Sequence, residues 1–105
     1  AGFIEVRPTH GSGLRVDPGD TLEVRLREGG ERCRPVGRQH SQTLKKLLQE
    51  AGVAPWYREC LPLLYRDGEL VAVADLWLVD GQQADKDHMG AEIVWRPPVL
   101  EINDT

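Results

Sequence analysis

The sequence predicts a small α+β domain: a mixed or mostly antiparallel, sandwich-like β-sheet with two helices in the middle of the chain. Three observations lead there. Short apolar runs, alternating or continuous and bounded by Gly, Pro and Asp, recur along the chain, which is strand chemistry. After Ser41 the pattern changes to helical spacing, with Leu44, Leu47, Leu48 and Ala51 on one stripe. A second helix signal, Ala54-Pro55, follows at once, with proline suited to the first helical position. Helices grouped in this way argue for an arrangement on one side of the sheet.

Taken in order, Phe3, Ile4 and Val6 form a short strand ended near Pro8, and Thr9 to Gly13 is a turn-rich loop. Gly11-Ser12-Gly13 lacks the lysine and the strand-to-helix setting of a phosphate-binding loop. Leu14 to Val16 adds a short strand before the turn Asp17-Pro18-Gly19-Asp20. Leu22, Val24 and Leu26 alternate with Glu23, Arg25 and Arg27, as in a half-buried strand with a charged, wet face, and Glu28-Gly29-Gly30 ends it. Ser41 is expected to cap the first helix, because its hydroxyl can accept a free first-turn amide, and Gly52 to stop it. Trp56, Tyr57 and Leu61 are expected to pack as core beneath the second helix, which Pro62 ends.

Leu63-Leu64-Tyr65 and Leu70 to Ala74 read as a β-hairpin closed by Asp67-Gly68. Its second strand is apolar on both faces and is expected to be central, with Asp75 and Leu76 to Val79 extending it. Asp80 to Gly90 is a polar surface loop. Ile93, Val94 and Trp95 form a last strand, Pro97-Pro98 closes it, and the tail to Thr105 reads as loose.

A length of 105 residues is one domain of ordinary size, able to bury a modest core. Hydrophobic content of 40% with 29% charged residues excludes a disordered composition. No apolar run is long enough to span a bilayer and no signal peptide opens the chain, so a cytoplasmic protein without a membrane partner is expected. The chain starts Ala-Gly-Phe and reads as an excised or processed fragment. Cys33 and Cys60 are expected as reduced thiols, and the scattered His10, His40 and His88 give no reason to expect a metal.

Charge is unevenly distributed. Between Arg25 and Lys46 seven basic residues stand against two acids, while Asp67 to Thr105 holds nine acids against Lys86 and Arg96. A net charge of −4 therefore does not argue against an anionic partner, because the local field decides. Lys45 and Lys46 lie off the apolar stripe, and Arg32, Arg34 and Arg38 approach the helix start. Guanidinium forks and lysine ammonium groups suit phosphate oxygens, and a helix start adds free amides. Internal pairing with Glu31, Glu50 or Glu59 is the competing reading. No nucleophile–base constellation or pair of converging carboxylates is recognisable, so a catalytic role has little support.

Gly30-Glu31-Arg32, Arg34-Pro35, Gly37-Arg38, Ser41, Leu44-Lys45-Lys46-Leu47, Gln49-Glu50, Pro55-Trp56, Arg58 and Pro62-Leu63 stand in an order that resembles the C-terminal domain of bacterial tRNA(Ile)-lysidine synthetases, from about Gly29 to Trp77. The resemblance implies a fold similar to a module of the phenylalanyl-tRNA synthetase β chain. It implies a parent enzyme that uses ATP, with magnesium, to join lysine to C2 of the wobble cytidine of tRNA(Ile), switching decoding from AUG to AUA. That chemistry belongs to an N-terminal pyrophosphatase-type domain with a Ser-Gly-Gly-x-Asp-Ser loop, which this chain lacks. Residues 1–105 are thus expected to be one non-catalytic C-terminal domain, without cofactor or metal of its own, that grips tRNA near the acceptor stem. The matching basic positions Arg32, Arg34, Arg38, Lys45, Lys46 and Arg58 are the implied tRNA contacts. The implied partners are tRNA(Ile), the rest of the parent chain and, where the parent dimerises, a second copy. An alternative is an interaction module that docks through apolar surface around Trp56, Trp77 and Trp95.

Overall fold

The computed structural model describes residues 3–98. Its elements are β1 Phe3–His10, β2 Leu14–Arg15, β3 Leu22–Arg25, β4 Arg32–Cys33, β5 Gln42–Thr43, α1 Leu44–Glu50, α2 Pro55–Arg58, β6 Leu63–Arg66, β7 Glu69–Val73, β8 Trp77–Leu78 and β9 Met89–Arg96. Every named strand pair is antiparallel. The expected α+β architecture is present as two sheets, ordered β1-β9-β2 and β3-β6-β7-β8, with a small β4-β5 ribbon.

The hairpin β6–β7 is the centre of the molecule. Asp67 and Gly68 both adopt positive φ, 53° and 78°, the backbone that a two-residue turn needs to match strand twist. Val71, Ala72 and Val73 are all buried, as expected of a strand covered on both faces. On one side Leu63 and Val73 join Leu44, Leu47 and Leu48 of α1, with Cys33 and Leu61. On the other, Leu64, Val71 and Ala72 meet Leu14, Ala91 and Ile93 of the β1-β9-β2 sheet. The four-stranded sheet is therefore a middle layer between a helix and a second sheet.

Several expectations are corrected. β1 runs through Pro8 to His10, because β1 is an edge strand and needs no donor on its open side. Leu76 to Val79 does not prolong β7; Ala74 turns at φ 46° and β8 folds back beside it. β9 begins at Met89, inside the stretch read as loop, and Ala84 of that stretch is buried. Trp56 stands out in solvent, whereas Leu61 is core and Tyr57 is half-buried. Val24 and Leu26 are exposed as well, Leu26 lying beyond the end of β3. The tail reading falls on residues 99–105, outside the described ones.

The cap of α1 also moves. Thr43, not Ser41, is the N-cap, and its Oγ1 accepts from the Lys46 amide at 3.3 Å. Ala51 is the exposed C-cap, and Gly52 leaves the helix at φ 72°, the left-handed step glycine makes cheaply. Thr43→Ala should cost about 1 kcal/mol, whereas Ser41→Ala should leave the melting temperature nearly unchanged. Thermal melts of the two variants distinguish the caps.

Candidate nucleic-acid interface

The basic loop is held from several sides. Glu31 accepts from the amides of Glu28 at 2.7 Å and Gly29 at 3.1 Å, and its carbonyl accepts from the Leu44 amide at 2.8 Å. The β4–β5 ribbon pairs Arg32 with Thr43 and so sets Arg32 beside the start of α1. Further on, the Val36 amide donates to the Leu78 carbonyl at 3.0 Å, and the Asp80 amide to the Arg34 carbonyl at 2.8 Å. The loop is thus sewn to the edge of the middle sheet.

Each implied contact has its own setting. Lys45 and Lys46 are exposed, project from the side of α1 opposite its buried leucines, and have no ion-pair partner among the described residues. Arg32 is exposed and donates from Nη2 to the Ser41 carbonyl at 3.1 Å, closing the ribbon. Arg34 pairs with Asp80, and Arg38 with Glu50 at 3.5 Å, both still substantially exposed. Arg58 is half-buried and donates from Nε to the Val53 carbonyl at 2.7 Å, fastening the turn between the helices. Nearby, Arg25 lies 4.4 Å over the Tyr65 ring and pairs with Glu23 at 2.9 Å.

The geometry brings Arg32, Lys45 and Lys46 to one ribbon-and-helix surface, flanked by Arg34 and Arg38 on the anchored loop. It gives Arg58 a structural task. The expected free amides at the helix start are partly consumed, since Leu44 and Lys46 donate to Glu31 and Thr43. Asp80, the partner of Arg34, lies 46 residues away. Sequence spacing carries no sign of that pairing. Arg66, nearly buried, was equally silent: it donates to the Arg15 carbonyl, to Gln82 and to Asp20, tying β6 to two loops.

Burial acts to raise the Glu31 carboxyl, but the Glu28, Glu31 and Gly29 amides and the Arg27 charge outweigh it and hold the group below the ordinary glutamate range. A depressed folded value stabilises the loop above the unfolded pKa, and that contribution is lost as pH falls through the folded value. Glu31→Gln should therefore lower stability near neutrality and lose less stability than the parent sequence on acidification. Denaturant titrations across pH check this; parallel curves for the two proteins would rule it out. Burial also raises the Cys33 thiol, in keeping with its place in the core.

No helix among the described residues is long and apolar enough to cross a membrane, and none of their His, Cys, Asp and Glu side chains gather in a group of three or more able to hold a metal.

Residues 22–95 match the family described as the TilS substrate C-terminal domain. The chain is 39% identical over 77 residues to the tRNA(Ile)-lysidine synthase of Coxiella burnetii, an alignment covering 73% of the chain and 17% of that protein. It is 37% identical over 93 residues to the Nitrosomonas europaea protein of the same name, covering 85% and 20%. A shorter alignment, 49% over 57 residues, covers 54% of the chain and 13% of the Xylella fastidiosa protein. The chain spans at most a fifth of the length of these curated relatives.

Proposed function

The chain belongs to the TilS substrate C-terminal domain family, and from that premise we propose that residues 1–105 form the tRNA-binding C-terminal domain of a tRNA(Ile)-lysidine synthase. The observation that supports this most is the surface of Arg32, Lys45 and Lys46, where both lysines lack an ion-pair partner among the described residues. Phosphate contacts of this kind fix register and orientation without reading bases. RNA duplexes are recognised chiefly by backbone and shape, which suits a grip on the acceptor stem. Arg34 and Arg38 stand at the flank, each balanced by a carboxylate, Asp80 and Glu50, yet exposed enough to reach a phosphate, while Arg58 supports the helix pair through the Val53 carbonyl.

In this reading the parent is a cytoplasmic ligase that uses ATP and magnesium to attach lysine to the wobble cytidine of tRNA(Ile). The chemistry belongs to a domain outside this chain. The domain described here contributes binding and placement, which convert a diffusive encounter into a held geometry.

The test is a tRNA footprint of the parent enzyme with and without this domain. Protection of the acceptor stem should vanish on removing the domain, while protection of the anticodon arm persists. Identical footprints would overturn the proposal.

A further inference from the structure

β1 is an edge strand of one sheet and β3 an edge strand of the other, and residues of both line one groove. An inner-face residue at such a seam ought to be covered, yet Val24 is 49% exposed; Leu26, just past the end of β3, is 57% exposed, and Phe3, at the start of β1, 58%. Val24 is the cross-strand partner of Leu64, which belongs to the core between the sheets, so that core continues outward into solvent. Phe3, Val24, Leu26, Cys60, Pro62 and Trp95 line a groove here, and none of the basic residues assigned to RNA takes part. Trp95 meets Tyr57 edge-on at 6.1 Å, and Tyr57 meets the exposed Trp56 at 6.1 Å, which widens the apolar surface. Contiguous exposed apolar surface of this kind marks an interaction site.

We propose that this seam is the docking surface for the polypeptide that precedes the domain in its parent, so that another part of the same chain closes the open sandwich. The argument is one of connection. The family is a C-terminal domain, and at least four fifths of the relatives' length lies outside the match. Preceding chain enters through β1, and β1 begins at Phe3, on the rim of the groove. Tethered there, the partner acts at a high effective concentration, so a modest groove suffices. A free second copy would need an interface of about 1,200–2,000 Å² to associate stably. The absence of basic side chains in the lining argues against RNA as occupant. The seam stands independently of the tRNA reading.

Two cysteines make the test possible in the full-length parent. Cys60 lines the groove and is partly accessible, whereas Cys33 is buried in the other core and reports whether the domain stays folded. Alkylation by iodoacetamide is followed at each site by mass spectrometry in wild type and in Leu26→Glu. Cys60 should react about tenfold faster in Leu26→Glu, with Cys33 unreactive in both, because local exposure sets access to a thiol. If Cys33 also reacts, the comparison is repeated with the milder Val24→Thr, where the same acceleration is expected. Equal Cys60 rates in wild type and a folded variant would overturn the proposal. So would protection that grows with enzyme concentration, which would mean a second copy, or protection that arises only on adding tRNA.

Discussion

Leu48→Ala should destabilise the protein by about 2–5 kcal/mol, among the largest effects expected of a single core substitution. Leu48 is fully buried between α1 and the middle sheet, beside Leu44, Leu47 and Leu63. Removing three carbons there loses transfer free energy and leaves a hole that close-packed neighbours fill only in part. Leu26→Ala, at an exposed position, should change the stability of this chain by about 0.5 kcal/mol or less. Equilibrium denaturation of both variants checks the contrast. Equal small effects would mean that the helix does not pack as described.

The same pair of leucines shows what the sequence does and does not disclose. Both sit at positions where apolar periodicity promises burial. For Leu48 the promise holds, because the whole helical stripe comes from one short segment and needs only something apolar beneath it. For Leu26 it fails, because burial of a strand's inner face depends on which strand lies next to it. β3 is at an edge, and strand order is a property of distant partners. The hairpin turn at Asp67-Gly68 was legible for the local reason that its dipeptide suits positive φ. The β4–β5 ribbon was not, since two residues on each side give no periodicity to read. The ribbon in turn moved the cap from Ser41 to Thr43 by carrying the chain two residues further before the helix begins. In the candidate site the concentration of positive charge was plain. The division of labour within it was legible only for Arg38, whose partner Glu50 is one of the acids that the reading of internal pairing named; Asp80 and the Val53 carbonyl, which engage Arg34 and Arg58, give no sign of it in the sequence and are brought near only by folding.

That division sets the second large effect. Replacing Arg32, Lys45 and Lys46 together by glutamine should weaken tRNA binding by the parent enzyme roughly 10–100-fold near physiological salt and lower the magnitude of its log–log salt slope by about 2–3. Each lost phosphate contact releases fewer counterions, which is why affinity and slope fall together. Lys45→Gln and Lys46→Gln alone should leave melting temperatures close to wild type, since neither ammonium group is part of an ion pair among the described residues. Arg34→Gln should behave differently: it also frees Asp80 and loosens the loop, so stability falls along with binding. For the triple variant the saturating turnover rate should change less than the tRNA half-saturation value, because binding remote from the chemistry contributes alike to ground and transition states. If turnover falls in step, the surface positions the anticodon arm as well as holding the stem, since small misplacements of a reacting group are costly. If the folded triple variant binds tRNA with unchanged affinity and unchanged salt slope, these side chains are a solvated surface and the RNA lies elsewhere.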